Sequence, residues 1–234
     1  MINWGARRRI MEGFKLLTRS GEGYYEEKRS RFLGLVVPVS SEEEAQKLLA
    51  ARRKEHPEAR HHCYAYVIGI RHELTRFSDD GEPSGTGGRP ILDVLQGSEL
   101  HNALVIVTRY FGGTLLGTGG LSRAYSAAAA DALAHCGAGI LQQGAVWDLK
   151  LQYSDYARAE RSLLQQDIPR IGESFTDTVN LSVFLLPDQE KGFVSLMADL
   201  SAGRAGITKM QEAYALREPD QPSVQLIKNP FEKK

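Results

Sequence analysis

Thr108-Arg-Tyr-Phe-Gly-Gly-Thr-Leu-Leu-Gly-Thr-Gly-Gly-Leu-Ser-Arg-Ala-Tyr125 is the stretch that decides how this chain folds. It follows Ala103–Val107, a continuous apolar run of strand length, as expected of a central strand. It leads into residues where Leu121, Ala124, Ala128, Ala132 and Cys136 keep helical spacing. The order is therefore strand, glycine loop, helix, and the alanine-rich helix is slim enough to pack close to a sheet. Ten of the 23 glycines lie between Gly81 and Gly120, where average usage would place about three. Glycine is entropically costly, so this density needs a backbone reason: positive φ, or close approach of another backbone or a ligand.

A helix start presents free N–H groups and about half a positive charge, which suits an anion. Gly112, Gly113, Gly117, Gly119 and Gly120 would let a phosphate approach those groups. Thr118 and Ser122 could add hydroxyls, and Arg109 and Arg123 cationic forks. No Lys-Ser/Thr pair follows the glycines, so this is not a P-loop, and the glycine spacing differs from the dinucleotide fingerprint. The competing reading is a set of tight turns and helix–sheet contacts without a ligand.

Upstream lies Phe77-Ser-Asp-Asp-Gly-Glu-Pro-Ser-Gly-Thr-Gly-Gly-Arg-Pro90. Asp79, Asp80, Glu82, Ser84 and Thr86 are the loop candidates, and the three carboxylates could do acid–base work or hold hydrated Mg²⁺. Against this, Asp side chains in turns cap local N–H groups. Hard-cation sites also collect ligands from several segments or follow a defined spacing. Neither a metal nor a cofactor is therefore expected. His61 and His62, adjacent on a strand, face opposite ways, and His61 with Cys63 supplies only two zinc ligands. Tyr64, Tyr66 and Tyr110 read as core or site-wall aromatics, with base stacking as the alternative.

Around this centre the pattern is α+β. Phe32–Val39 reads as a strand. Ser40 and Ser41, with Glu43 and Glu44 three residues on, give capping-box spacing for a helix ending near Glu55, before Pro57. Cys63–Ile68 and Leu74–Phe77 read as strands, and Ile91–Leu95 as a short helix. After a boundary near Gly144, Trp147–Leu151 alternates as a strand, Asp155 caps a helix, and two strands, an amphipathic helix over Phe193–Leu200 and a last strand follow. That order, β-α-β-β-α-β, is ferredoxin-like. The expected division is a loose extension 1–22, domains 23–144 and 145–217, and a loose tail 218–234. Met11 offers an alternative start.

Composition is ordinary for a globular protein, with 42% hydrophobic and 25% charged residues. The 29 basic and 29 acidic residues balance, so no general attraction to nucleic acid or membrane is expected, although a local basic patch is compatible with this. Cys63 and Cys136 are the only cysteines and have no metal-ligand spacing, which points to reduced thiols and a cytoplasmic home. No apolar run approaches the roughly 20 residues needed to span a bilayer.

Three strings, Pro57–Cys63, Phe77–Thr86 and Thr108–Tyr125, resemble the YigZ/IMPACT family, and the likeness covers about residues 23 to 136. A departure is Gly87, where alanine is expected in many members. The resemblance implies an N-terminal domain like domain two of ribosomal protein S-five, shared with elongation factor G and the homoserine-kinase group. It also implies a C-terminal domain similar to a ferredoxin-like one of elongation factor G. Eukaryotic relatives regulate translation under amino-acid starvation by competing for the activator of a translation-inhibiting kinase. They use in part an extra N-terminal domain that has no counterpart here, so that route does not carry over. Function argued from shared fold is analogy. The preferred expectation is a non-enzymatic protein contacting RNA, the ribosome or a translation factor through the glycine-rich surface. The alternatives are an enzyme acting on a phosphorylated small molecule or nucleotide, and a partner-docking scaffold.

Overall fold

The computed structural model describes residues 13–219 and 223–230. The chain runs β1 (Phe14–Arg19), β2 (Gly21–Glu27), β3 (Ser30–Pro38), α1 (Glu42–Glu55), β4 (His61–Ile68), β5 (Leu74–Ser78), α2 (Gly88–Gly97), β6 (Leu100–His101), β7 (Ala103–Tyr110) and α3 (Gly117–Ala134). It continues through β8 (Gly137–Leu151), α4 (Tyr153–Gln165), β9 (Arg170–Phe175), β10 (Val179–Leu185), α5 (Glu190–Leu200), β11 (Gly206–Arg217) and β12 (Gln225–Ile227). It forms two compact units, one of Lys15–Gly139 and one built on the chain from Ile140 onward.

The first unit is an antiparallel sheet in the order β2-β3-β7-β4-β5. β7 is central, and Ala103 through Val107 are wholly buried. Its side chains alternate between two cores. Leu104 and Ile106 join Tyr66 and, on α1, Ala45 and Leu49. Val105 and Val107 join Ile91 and Leu95 of α2 and Ala124 and Ala128 of α3. A strand covered on both faces has no reason to alternate in polarity, which explains the unbroken apolar run. α1 begins as its sequence prescribes: Ser41 Oγ accepts from the Glu44 N–H at 3.2 Å, and the Glu44 carboxylate accepts from the Ser40 N–H at 2.7 Å.

α3 lies unusually close to β2 and β3. A Cβ at Gly23 or Gly34 would collide with the backbone of Ala132 or Ala128. Small residues on both sides let helix and sheet approach to backbone contact, so several glycines serve packing rather than a ligand.

The second unit contains β8-α4-β9-β10-α5-β11, with strands ordered β9-β10-β8-β11 and every pairing antiparallel. This is the ferredoxin-like arrangement. Leu149, Leu151, Leu181 and Val183 of the sheet pack with Leu163 of α4 and Phe193 and Met197 of α5. The opposite face carries Asp148, Lys150, Asn180, Ser182 and Thr208 around a shallow polar groove of about 530 Å³.

Four expectations change. Residues 1–12 lie outside the described residues, but 14–22 are not a loose extension: they form β1 and the start of β2, with Leu16 and Leu17 buried and Lys15 paired to Leu100. The division falls at Gly139, inside β8, rather than near Gly144. Gly144 is a strand residue whose missing Cβ makes room for the Leu185 carbonyl. Asp155 is not the N-cap of α4, which starts after Gln152. It is buried in the first turn, where its carboxylate accepts from Arg158 at 2.8 Å and from Arg204 at 2.9 Å. Part of the expected tail is ordered too, since Gln225–Ile227 pairs with β11.

Candidate functional site

The two glycine-rich loops meet through one buried carboxylate. Glu82, in the first loop, accepts from Arg109 Nη1 at 2.5 Å and from the Tyr125 hydroxyl at 2.8 Å. Arg109 is the next-to-last residue of β7 and Tyr125 lies in the third turn of α3, so Glu82 ties the first loop to both flanks of the second. The Glu82 and Arg109 side chains are 4% and 6% exposed. His61 Nε2 stands 4.0 Å from the same Glu82 oxygen, while its Nδ1 faces the Asp80 carbonyl at 2.9 Å.

The other acids of the first loop are committed to the fold. Asp79 accepts from the N–H groups of Gly85, Gly87 and Gly88 at 2.8, 2.9 and 2.9 Å. Burial would raise its pKa, but these backbone donors outweigh it and hold the carboxyl below its ordinary value. It thereby occupies the exposed N–H groups at the start of α2, whose N-cap, Gly87, has no side chain to do so. Asp80 accepts from Arg53 at 2.7 Å and from the His62 N–H at 2.6 Å. Burial opposes its ionisation, and these partners overcome that and lower its pKa. Thr86 is buried and donates to the Pro83 carbonyl at 2.7 Å, whereas Ser84 is exposed. No group of three or more His, Cys, Asp or Glu suited to a metal occurs among the described residues.

His61 and His62 do face opposite ways: His62 is buried with Nδ1 3.1 Å from Thr108 Oγ1. Cys63 is buried, donates to the Asp79 carbonyl at 3.0 Å, and has its thiol pKa pushed far up by burial. A Cβ at Gly87 would lie 2.5 Å from its sulfur, so glycine there relieves a tight contact rather than merely adding flexibility.

The second loop is different. Gly112 donates to Ser30 Oγ at 3.0 Å and packs against the Arg29–Ser30 backbone. Gly113 and Gly117 hold φ of +85° and +72°, which favour glycine. α3 then starts at Gly117 with no side-chain cap on its N–H groups and no acid in its first turn. Thr118 and Gly119 are exposed there and Gly120 is half-buried. Arg123 is exposed, and its Nη1 lies 3.8 Å from where a Cβ on Gly119 would be, over that same turn. No hydrogen bond or ion pair holds Arg123 among the described residues.

Two expected donors are otherwise engaged. Arg109 is the counter-ion of Glu82, because a guanidinium at the end of a buried central strand must be paired where it lies. Ser122 donates to the Thr118 carbonyl of its own helix at 3.1 Å.

The sequence reading passed over the cations beside this loop. Lys28 and Arg29 form the β2–β3 turn at φ of 48° and 66°. Arg31, paired in register with Tyr110, lies 4.9 Å over its ring. Arg60 precedes His61, the register partner of Arg109. Lys28, Arg29 and Arg60 are exposed, and none has an ion-pair partner among the described residues. The detectable signal was two adjacent cations in a two-residue turn between strands.

Comparisons with known proteins agree with this organisation. Residues 28–133 match the Impact N-terminal domain, and residues 149–204 match a domain of unknown function, DUF1949. The chain is 31% identical over 205 residues to IMPACT family member YvyE of Bacillus subtilis, covering 88% of this chain and 94% of that protein. It is 35% identical over 187 residues to IMPACT family member YigZ of Escherichia coli, covering 79% and 92%. A solved structure titled as a hypothetical protein superposes with a TM-score of 0.55 at 33% identity, over 85% of this chain and 98% of that one. With both domains matched and bacterial relatives covered almost end to end, the chain belongs to the IMPACT family.

Proposed function

We propose that this is a cytoplasmic, translation-linked binding protein. It contacts a phosphate-bearing partner, RNA alone or within the ribosome or a translation-factor complex, through the Gly112–Arg123 surface. The observation that carries this reading is Arg123 lying over the uncapped start of α3. A cation at the positive end of a helix is disfavoured by about 0.3–1 kcal/mol, and nothing acidic offsets it there. Such a convergence of positive ends becomes favourable when an anion fills it. The free cations of the β2–β3 turn extend the same surface.

The resemblance to translation regulators supplies the setting, and the loop supplies the chemistry. On the alternative reading, an enzyme acting on a phosphorylated small molecule, the first-loop carboxylates would work beside the anion. Asp79 and Asp80 instead have both oxygens engaged by backbone N–H groups and Arg53, and one oxygen of Glu82 holds both Arg109 and Tyr125.

The test is binding of labelled RNA and of ribosomes by wild type and by Arg123→Ala combined with Arg29→Ala. A contact of this kind weakens in the variant and steeply with salt. Equal binding by both proteins, or none at low salt, would remove the proposal.

A further inference from the structure

We propose that Phe111 is a base-stacking platform, and that the partner strand crossing this surface is single-stranded RNA. The proposal rests on the anion-binding reading above and names the form of its ligand. Phe111 is 55% exposed although it follows a buried strand. Its ring is backed by the Arg109 guanidinium, whose Cζ lies 5.5 Å from the ring centroid. Arg109 is itself fixed by Glu82 and also lies 5.5 Å over Phe32 in the core. The exposed ring is therefore positioned from beneath rather than left to wander. A cation behind an aromatic ring also holds it for stacking in front.

The surroundings fit a nucleic-acid strand. Gly112, the next residue, packs on Arg29, and the turn of Lys28 and Arg29 places unpaired cations beside the ring. Arg123 lies beyond the loop at the start of α3. Glu26 and Glu27 of the same hairpin accept hydrogen bonds from the Tyr24 and Tyr25 hydroxyls. Leu115, 83% exposed at the loop tip, adds a second apolar contact. An aromatic face flanked by free cations recognises a base together with its phosphates. In a duplex the bases are already stacked and the ring has nothing to receive, so single strands are favoured.

The test uses fluorescein-labelled oligouridylate and an abasic strand of equal length, measured by anisotropy at low salt. Wild type binds the oligouridylate more tightly, by about tenfold for one stacked base. Phe111→Ala and Phe111→Leu bring that affinity down to the abasic level without changing abasic binding. The leucine variant keeps apolar packing on Arg109, and circular dichroism confirms that both remain folded. Arg123→Ala weakens both probes alike. If Phe111→Leu binds oligouridylate as wild type does, or wild type does not prefer it over the abasic strand, stacking is wrong while the anion surface stands. If neither strand binds, both readings fall. Tighter, Phe111-dependent binding of polyglutamate would overturn the RNA assignment in favour of an acidic protein segment.

Discussion

Replacing Glu82 by alanine leaves the Arg109 guanidinium buried without the carboxylate it donates to at 2.5 Å, and the Tyr125 hydroxyl without its acceptor at 2.8 Å. Removing one partner of a buried ion pair costs about 3–5 kcal/mol, and a neutral hydrogen bond lost with it adds about 1 kcal/mol. Much of this strain should be relieved by the charge-free pair Glu82→Leu with Arg109→Met, because well-packed apolar groups replace a buried pair at little cost. The expected order of stability in urea is therefore wild type, then the double variant, then either single variant. Tryptophan is a poor probe here, since of the two tryptophans Trp147 lies in the second unit and Trp4 lies outside the described residues. Tyrosines occur in both units, so hydrogen exchange at β7 is the readout specific to the first unit. A Glu82→Ala loss below about 1 kcal/mol would equal that of a surface pair, and would refute the buried clamp. Strict additivity of the Glu82→Leu and Arg109→Met losses in the double variant would refute the coupling between Glu82 and Arg109.

Four further outcomes are expected. Gly23→Ala forces a methyl into the Ala132 backbone and should cost about 1–3 kcal/mol or more. Gly97→Ala, with nothing within 4 Å, should be neutral or slightly stabilising in the same melts. Burial of Cys63 and its raised thiol pKa predict no modification by iodoacetamide at pH 8 until denaturant is added. Rapid native labelling, located by peptide mapping, would reopen a chemical role for that thiol. Hydrogen bonds from Arg204 and Arg158 lower the Asp155 pKa, so its folded value lies below the unfolded one. Its contribution is then present above the unfolded value of about 3.9 and is lost as pH falls through the folded value. Asp155→Asn should flatten the acid limb of stability for the second unit, and an unchanged limb would contradict this.

What was legible in the sequence follows its periodicities. The apolar run at Ala103–Val107, the Ser41–Glu44 cap and the alternation from Trp147 to Leu151 each express a local physical rule, and each appears where expected. β1 was missed because its six residues, with Lys15, Thr18 and Arg19 among Phe14, Leu16 and Leu17, carry little alternation of their own. At the candidate site the glycine loop and its helix could be read directly, whereas the partners of its charges could not. Arg109 and Glu82 are 27 residues apart in sequence, and only the fold shows that each satisfies the other. Likewise Asp79 looked available for chemistry until its oxygens were seen to receive the N–H groups of Gly85, Gly87 and Gly88. Phe111 escaped notice because one exposed aromatic among glycines has no period, and its meaning depends on the guanidinium behind it.

The most direct test of the anion-binding surface is an amide NMR titration of the whole chain with oligouridylate at low salt. The account predicts that the N–H signals of Gly117, Thr118, Gly119 and Gly120 move first and saturate together, and that Arg123→Ala abolishes those shifts. Shifts confined to the polar sheet face around Lys150 and Ser182, with the start of α3 silent, would contradict it.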